Sequence, residues 1–174
     1  MEDPRNVIDK YKGQPLSKIV SDLDLTDVGL HIAVENTERD FNMGTIVRSA
    51  NAFGVRHVHV IGRRQWNKRG AMMTDKYLHV HYYADLDEFI AEMALRKKQI
   101  VAVDNIPGSK PLAVVDLPKN AVLVFGQEGP GISANLAQQA KMIVAIEQFG
   151  STRSINVGVA AGIVMYAWLQ RHKL

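Results

Sequence analysis

Hydrophobic positions along the chain switch repeatedly between two periods. Runs rich in β-branched residues at 29–35, 55–61, 77–83, 99–103, 121–125 and 142–146 predict strands. After the first run, Ile46, Val47, Ala50 and Phe53 make an i, i+1, i+4, i+7 stripe, which predicts a helix stopped by Gly54. Residues 87–98 repeat the helical pattern through Phe89, Ile90, Met93 and Ala94, with Arg96, Lys97 and Lys98 expected to complement the negative end of the helix dipole. A short helix is predicted over 133–140 with Ser133 as its N-cap, and a last one over 155–171 that is apolar nearly all round. A helix of that kind must be covered on more than one side, so its own sheet and a partner subunit are both expected, the latter as a homodimer. Residues 1–25 read as a helical lead-in with Val7, Ile8, Tyr11, Leu16 and Ile19 as its apolar contacts.

Strands that alternate with helices, and strands as uniformly apolar as Ala121-Val122-Leu123-Val124-Phe125, predict an α/β fold: a mostly parallel sheet with helices on both faces. Ligands of such sheets bind beyond the carboxyl ends of the strands. The unusual residues of this sequence fall there: Asn42 to Arg48 after the first strand, Asp104-Asn105 after the fourth, Gly126-Gln127-Glu128-Gly129 after the fifth, and Phe149 to Asn156 after the sixth.

At 174 residues the chain is expected to be one domain, 1–174. Its 47% hydrophobic and 22% charged residues exclude a disordered tail protein. The apolar stretch from Val157 to Leu169 is shorter than the roughly 20 residues of a membrane helix, so no membrane partner is expected. The start Met1-Glu2-Asp3-Pro4-Arg5 is acidic where a signal peptide is basic, and a cytoplasmic location follows as an expectation. The absence of cysteine rules out disulfides, thiolate zinc sites and a cysteine nucleophile. A net charge of +3 is mild, yet with a pI near 9.2 it makes a nucleic-acid partner worth testing.

Neither a Gly-x-Gly-x-x-Gly turn nor a phosphate-binding Gly-x-x-x-x-Gly-Lys loop occurs, which argues against a standard dinucleotide or ATP site. Gly126-Gln127-Glu128-Gly129-Pro130-Gly131 is a different object, glycines around a carboxylate, where small residues let a ligand reach backbone N–H and C=O groups. Arg48 lies two residues from Ile46, roughly 200° round the helix, and so points away from the apolar stripe. Asn42 reads either as a cap of that helix or as its functional companion. Ser154 and Asn156 stand at the mouth of the most apolar helix, Ser154 as a candidate N-cap, and a bound ligand is one way to satisfy such polar groups. The pairs His57/His59 and His79/His81 read as edge or surface histidines rather than metal ligands, and no metal is expected. Arg63, Arg64, Lys68 and Arg69 surround Trp66, a mixture suited to phosphate contacts and base stacking, or else to a solvated loop whose Trp66 tucks back on the body.

Together, the segments Asn42-x-Gly44-x-Ile46-x-Arg48-x-Ala50-x-Ala52-Phe53-Gly54, Leu123 to Ser133 and Ile146 to Ala161 resemble the three ordered motifs of the SpoU/TrmH class of RNA ribose methyltransferases, within the SPOUT superfamily. Glu147-Gln148 stands where many members carry Pro-Met. The resemblance implies a C-terminal trefoil knot, an obligate dimer, and S-adenosylmethionine as cofactor. Carried over residue by residue, it implies Val103, Gly126, Ile146, Ser154 and Ile155 as the cofactor site. It likewise implies Asn42, Arg48, Glu128, Ser154 and Asn156 as the catalytic set, with Asn42 and Glu128 holding Arg48, and Arg153 as a phosphate or ribose contact. The implied reaction is methyl transfer to a ribose 2′-hydroxyl of tRNA or rRNA. Two other readings stand beside it: a non-catalytic RNA-binding protein on the same scaffold, and a small-molecule enzyme using another nucleotide.

Overall fold

β1 (His31–Asn36) is buried along its whole length and pairs in parallel with β2 (His57–Gly62) on one side and β6 (Ala121–Phe125) on the other. β3 (His79–Tyr83), β4 (Gln99–Val103), β5 (Lys110–Pro111) and β7 (Met142–Ala145) complete a sheet of seven parallel strands in the order β3-β2-β1-β6-β4-β7-β5. This computed structural model describes residues 5–36 and 42–174; the acidic start Met1 to Pro4 lies outside the described residues.

Helices cover both faces. α2 (Met43–Ala52) and α5 (Val157–His172) lie against the face built by Ile32, Val34, Val58 and Val60, where Trp168 is fully buried. α3 (Leu86–Leu95) and α4 (Ala134–Gln139) lie on the face of Ala33, Ile61, Val122 and Val124, with Phe89 and Leu136 at its centre. The lead-in forms α1 (Leu16–Asp24), which packs Ile19 against Tyr11 and Tyr77. Ile8 and Leu16, expected among its contacts, are 65% and 43% exposed instead. Arg56 anchors the helix from below: it is buried, and its Nε donates to Asp24 Oδ1 at 2.9 Å.

Some elements begin or end elsewhere than the apolar pattern predicts. The run 77–83 divides into a 3-10 turn, Thr74–Tyr77, and the shorter β3. α3 starts one residue early, because Asp85 caps it by accepting from Glu88 N–H at 3.0 Å. It also stops early, since Lys97 takes a left-handed φ of 55°. The basic trio is therefore past the helix end, where Arg96 pairs with Glu92 and Lys98 donates to the Gly29 carbonyl.

His79 and His81 lie on the edge strand β3 as expected, but His57 and His59 do not: they stand on the interior strand β2. Parallel register sets His31 beside His57, His57 beside His79, and His59 beside His81 on one face, and β2 lies inside the sheet. His31 Nδ1 is 3.0 Å from His59 Nε2, and His59 Nδ1 is 2.9 Å from the Tyr83 hydroxyl. Burial, with Lys98 and the other imidazoles nearby, pushes His31 down to about 2. Burial and His81 push His57 down to about 4, and burial and His81 push His59 down to about 2. The unfolded chain binds protons on these rings near pH 6.5 while the folded chain holds them off, so stability is complete above that pH and falls below it. Each of His31 and His59 is expected to remove about 1.4 kcal/mol per pH unit below it. Urea unfolding between pH 7.5 and pH 5 checks this; a flat dependence on pH would contradict it.

Candidate active site at the carboxyl ends of the central strands

The adjacent parallel strands β6, β4 and β7 deliver their carboxyl ends to one end of the sheet. Beyond them opens a cavity of about 390 Å³, inside the roughly 300 to 1,000 Å³ of small-molecule sites. Val103, Phe125, Val144 and Ile146 give it an apolar floor, while Asp104, Glu128, Arg153, Ser154 and Asn156 give it a polar wall and mouth. All the residues expected to hold a cofactor, Val103, Gly126, Ile146, Ser154 and Ile155, line this cavity, and so does Arg153.

The loop after β6 is shaped by backbone contact. Gln127 and Gly131 exchange N–H···O bonds of 3.1 and 3.0 Å, closing a tight turn. A Cβ on Gly126 would fall 2.1 Å from the carbonyl carbon of Gly131, so only glycine fits. Asp104 clamps the turn from β4, accepting from Ile132 N–H at 2.8 Å. Glu35, the one carboxylate in β1, holds α4: it accepts from Ser133 N–H at 2.7 Å and from the Ser133 hydroxyl at 2.6 Å. Ser133 also caps α4 as expected, accepting from Leu136 N–H. Glu35 was legible only as an acid within a buried strand. Asp104 was visible as an unusual residue after its strand, with nothing to show that it grips another loop.

Asn42 resolves the choice between cap and companion. It sits at the N-terminus of α2 but makes no capping bond with its side chain. Its Nδ2 donates to Glu128 Oε2 at 2.8 Å, and its Oδ1 accepts from Asn156 Nδ2 at 2.9 Å. The three sequence segments meet in this bridge. Asn156, not Ser154, is the N-cap of α5, because Asn156 Oδ1 accepts from Gly158 and Val159 N–H while its amide nitrogen is left for Asn42. Ser154 is exposed on the cavity wall.

Arg48 is not held by Asn42 or Glu128 here. It is exposed on α2, away from the apolar stripe as its spacing predicts, and does not line the cavity. About 9 Å of helix rise separates it from Asn42, and its side chain makes no bond to Asn42 or Glu128.

The basic loop is fastened to the same helix. Asn36 Nδ2 donates to the carbonyls of Arg63 and Gln65, and Gly44 on α2 lies against Gly70 and Ala71 so closely that a Cβ there would be 2.7 Å from Ala71 N. Trp66 is 8% exposed and belongs to the core, so it is not a stacking platform. Arg63, Arg64, Lys68 and Arg69 stay exposed, Arg64 over the Tyr82 ring and Lys68 paired with Asp75 at 3.0 Å.

Sequence and fold are both similar to those of known RNA methyltransferases. The chain is 28% identical over 155 residues to a tRNA (guanosine(18)-2'-O)-methyltransferase of Aquifex aeolicus, covering 87% of this chain and 74% of that protein. It spans 61% of several longer curated relatives of the same name. The crystal structure of the A. aeolicus TrmH/SpoU tRNA modifying enzyme superposes with a TM-score of 0.77 at 26% identity, over 90% of this chain and 83% of that one. An AdoMet-bound rRNA methyltransferase from Sinorhizobium meliloti superposes with a TM-score of 0.74 at 27% identity, over 83% of this chain and 57% of that one. The model of the SpoU rRNA Methylase family matches residues 29–166, taking in the sheet, the glycine turn and the Asn42–Glu128–Asn156 bridge, and the chain belongs to that family.

Proposed function

We infer that this protein transfers a methyl group from S-adenosylmethionine to a ribose 2′-hydroxyl of tRNA or rRNA. The observation that carries the inference is the bridge of Asn42, Glu128 and Asn156 at the mouth of a cavity built from the ends of three adjacent strands, β6, β4 and β7. The residues fit the cofactor. An apolar floor suits a flat purine, the glycine turn exposes backbone groups, and the polar mouth suits the charged amino-acid end. S-adenosylmethionine supplies an electrophilic methyl on a sulfonium.

The chain's own residues align and stabilise. In-line transfer requires a positioned hydroxyl, loss of its proton, and stabilisation of developing alkoxide charge. Arg48 supplies a fixed positive charge to that oxygen; with a pKa above about 12 a guanidinium is a poor base, and a substrate phosphate or water accepts the proton. Asn42, Glu128 and Asn156 hold the three loops in register, Ser154 closes the wall, and Arg153 meets a phosphate or ribose. Incubation with methyl-labelled cofactor and either tRNA or rRNA, followed by nucleoside analysis, tests the function. A 2′-O-methylated nucleoside is expected; label on a base, or none, would overturn the reading.

Three further readings belong to the same proposal. Insertion of β7 between β4 and β5, with α5 then returning to α2, supports a C-terminal knot. Val159, Ile163 and Tyr166 form an exposed i, i+4, i+7 apolar stripe on α5, opposite the buried Ala161, Val164 and Trp168. A second copy covers it, and sedimentation at micromolar concentration is expected to give a dimer; a monomer would count against this. No helix among the described residues is long and apolar enough to cross a membrane, and the tRNA-modifying relatives support a cytoplasmic site of action.

The loop 63–69 grips RNA rather than performing chemistry. Replacing Arg63, Arg64, Lys68 and Arg69 together by alanine is expected to raise KM for RNA and leave kcat nearly unchanged. Removing a cation that neutralises one phosphate flattens the log K against log salt plot by about 0.7 to 0.9. Unchanged affinity and slope would make the loop mere solvated surface.

A further inference from the structure

We propose that Phe149 is the platform on which an unpaired base of the RNA stacks, beside the ribose that is methylated. The inference deepens the functional reading above and rests on it. Gln148 and Arg153 both line the cavity, so the segment between them, 149–152, runs along its outer rim. Residues 149–154 are exposed without a break, and Phe149 at their head is 98% exposed. The ring belongs to none of the buried apolar clusters and does not line the cavity, so neither the core nor the cofactor's surroundings account for it. Among the described residues the one other aromatic exposed to a comparable kind is Tyr166, which leans on the Phe53 ring at 6.1 Å, while Trp66 is closed into the core.

The neighbours of Phe149 select its partner. Ser151, Thr152, Arg153 and Ser154 follow it on the same exposed loop, three hydroxyls and a cation. Those groups suit phosphate and ribose oxygens, and a free ring beside them suits the face of a base, which is the combination that binds single-stranded RNA. A second copy of the chain lying on Phe149 would instead draw that polar loop out of water, which is costly unless each group finds a bond. A ribose pressed into the cavity mouth carries its base to the rim. A base that has left its own stack there regains a neighbour on Phe149.

Binding of bulk tRNA, bulk rRNA and S-adenosylhomocysteine to the protein and its variants tests the assignment without requiring turnover. Phe149→Ala is expected to bind RNA about ten- to a hundredfold more weakly, with S-adenosylhomocysteine affinity within about twofold of wild type. Phe149→Trp is expected to keep RNA affinity, whereas Phe149→Leu, apolar but without a ring, is expected to be as weak as Phe149→Ala. Trp66 and Trp168 are buried, so the indole introduced by Phe149→Trp is the exposed emitter, and RNA is expected to quench it. If Phe149→Ala binds RNA as wild type does, or Phe149→Leu matches Phe149→Trp, no base stacks there and this assignment is wrong while the methyl-transfer reading stands. Emission of Phe149→Trp that shifts with protein concentration before RNA is added would show a second copy covering the position, and would likewise overturn the assignment. Wild type that binds neither RNA would overturn the assignment and the functional reading together.

Discussion

Arg48→Ala is expected to lower methyl transfer by about two to three orders of magnitude, the typical loss when a single electrostatic stabiliser of a transition state is removed. Affinity for S-adenosylhomocysteine should stay within a few-fold. The expected split follows from position: Arg48 is exposed on α2 and takes no part in lining the cavity, so its removal leaves the cofactor's surroundings intact. Arg48→Lys keeps the charge but loses the planar fork, and should recover only part of the rate. Single-turnover rates and calorimetry on the same preparations measure both quantities. A loss of cofactor affinity as large as the loss of rate would move Arg48 from the ribose oxygen to the cofactor and reject its assigned role.

Gly126→Ala should act on the other quantity. The added Cβ would lie 2.1 Å from the Gly131 carbonyl carbon and 2.3 Å from Ile132 N. Neither atom can yield easily, because Gly131 is bonded to Gln127 in both directions and Ile132 N–H is held by Asp104. The turn must open, so cofactor binding is expected to fall at least about a hundredfold, with about 1 to 3 kcal/mol of stability lost to overpacking. Gly150→Ala is the matched control: a Cβ there meets nothing within 4 Å, and both binding and stability should be unchanged. Wild-type affinity in Gly126→Ala would show that the turn is not part of the cofactor site.

Hydrophobic period was enough to predict the strands and helices because each buried face repeats locally: α2 needs only Ile46, Val47 and Ala50 to declare its inner side. The residue sets around the site were legible for the same reason, as polar interruptions at strand ends. Partnership was not. Asn42 and Asn156 are 114 positions apart, and nothing local to either tells a cap from a bridge; the outcome depends on which acceptor the third loop presents, namely Glu128. The histidines illustrate the same limit. Each pair was visible within its strand, but His31 joins them only through the parallel register of β1 with β2, a property of the sheet rather than of any segment. Arg48 was read correctly as facing away from the core, while the side chains implied to hold it, Asn42 and Glu128, bond each other instead.

The seam where Gly44 meets Gly70 and Ala71 bears on how such an enzyme can change its target. Backbone touches backbone there, so the basic loop and α2 move as one body, and Asn36 pins the other end of the loop. The side chains of Arg63, Arg64, Lys68 and Arg69 project outward and can be exchanged without disturbing the seam. Insertions or deletions between the two fixed points are different, because any change of length would tilt the helix that carries Arg48. On the RNA-gripping role proposed for this loop, substrate preference is open to point substitution at constant loop length, while changes of length are better borne by segments not fixed to α2.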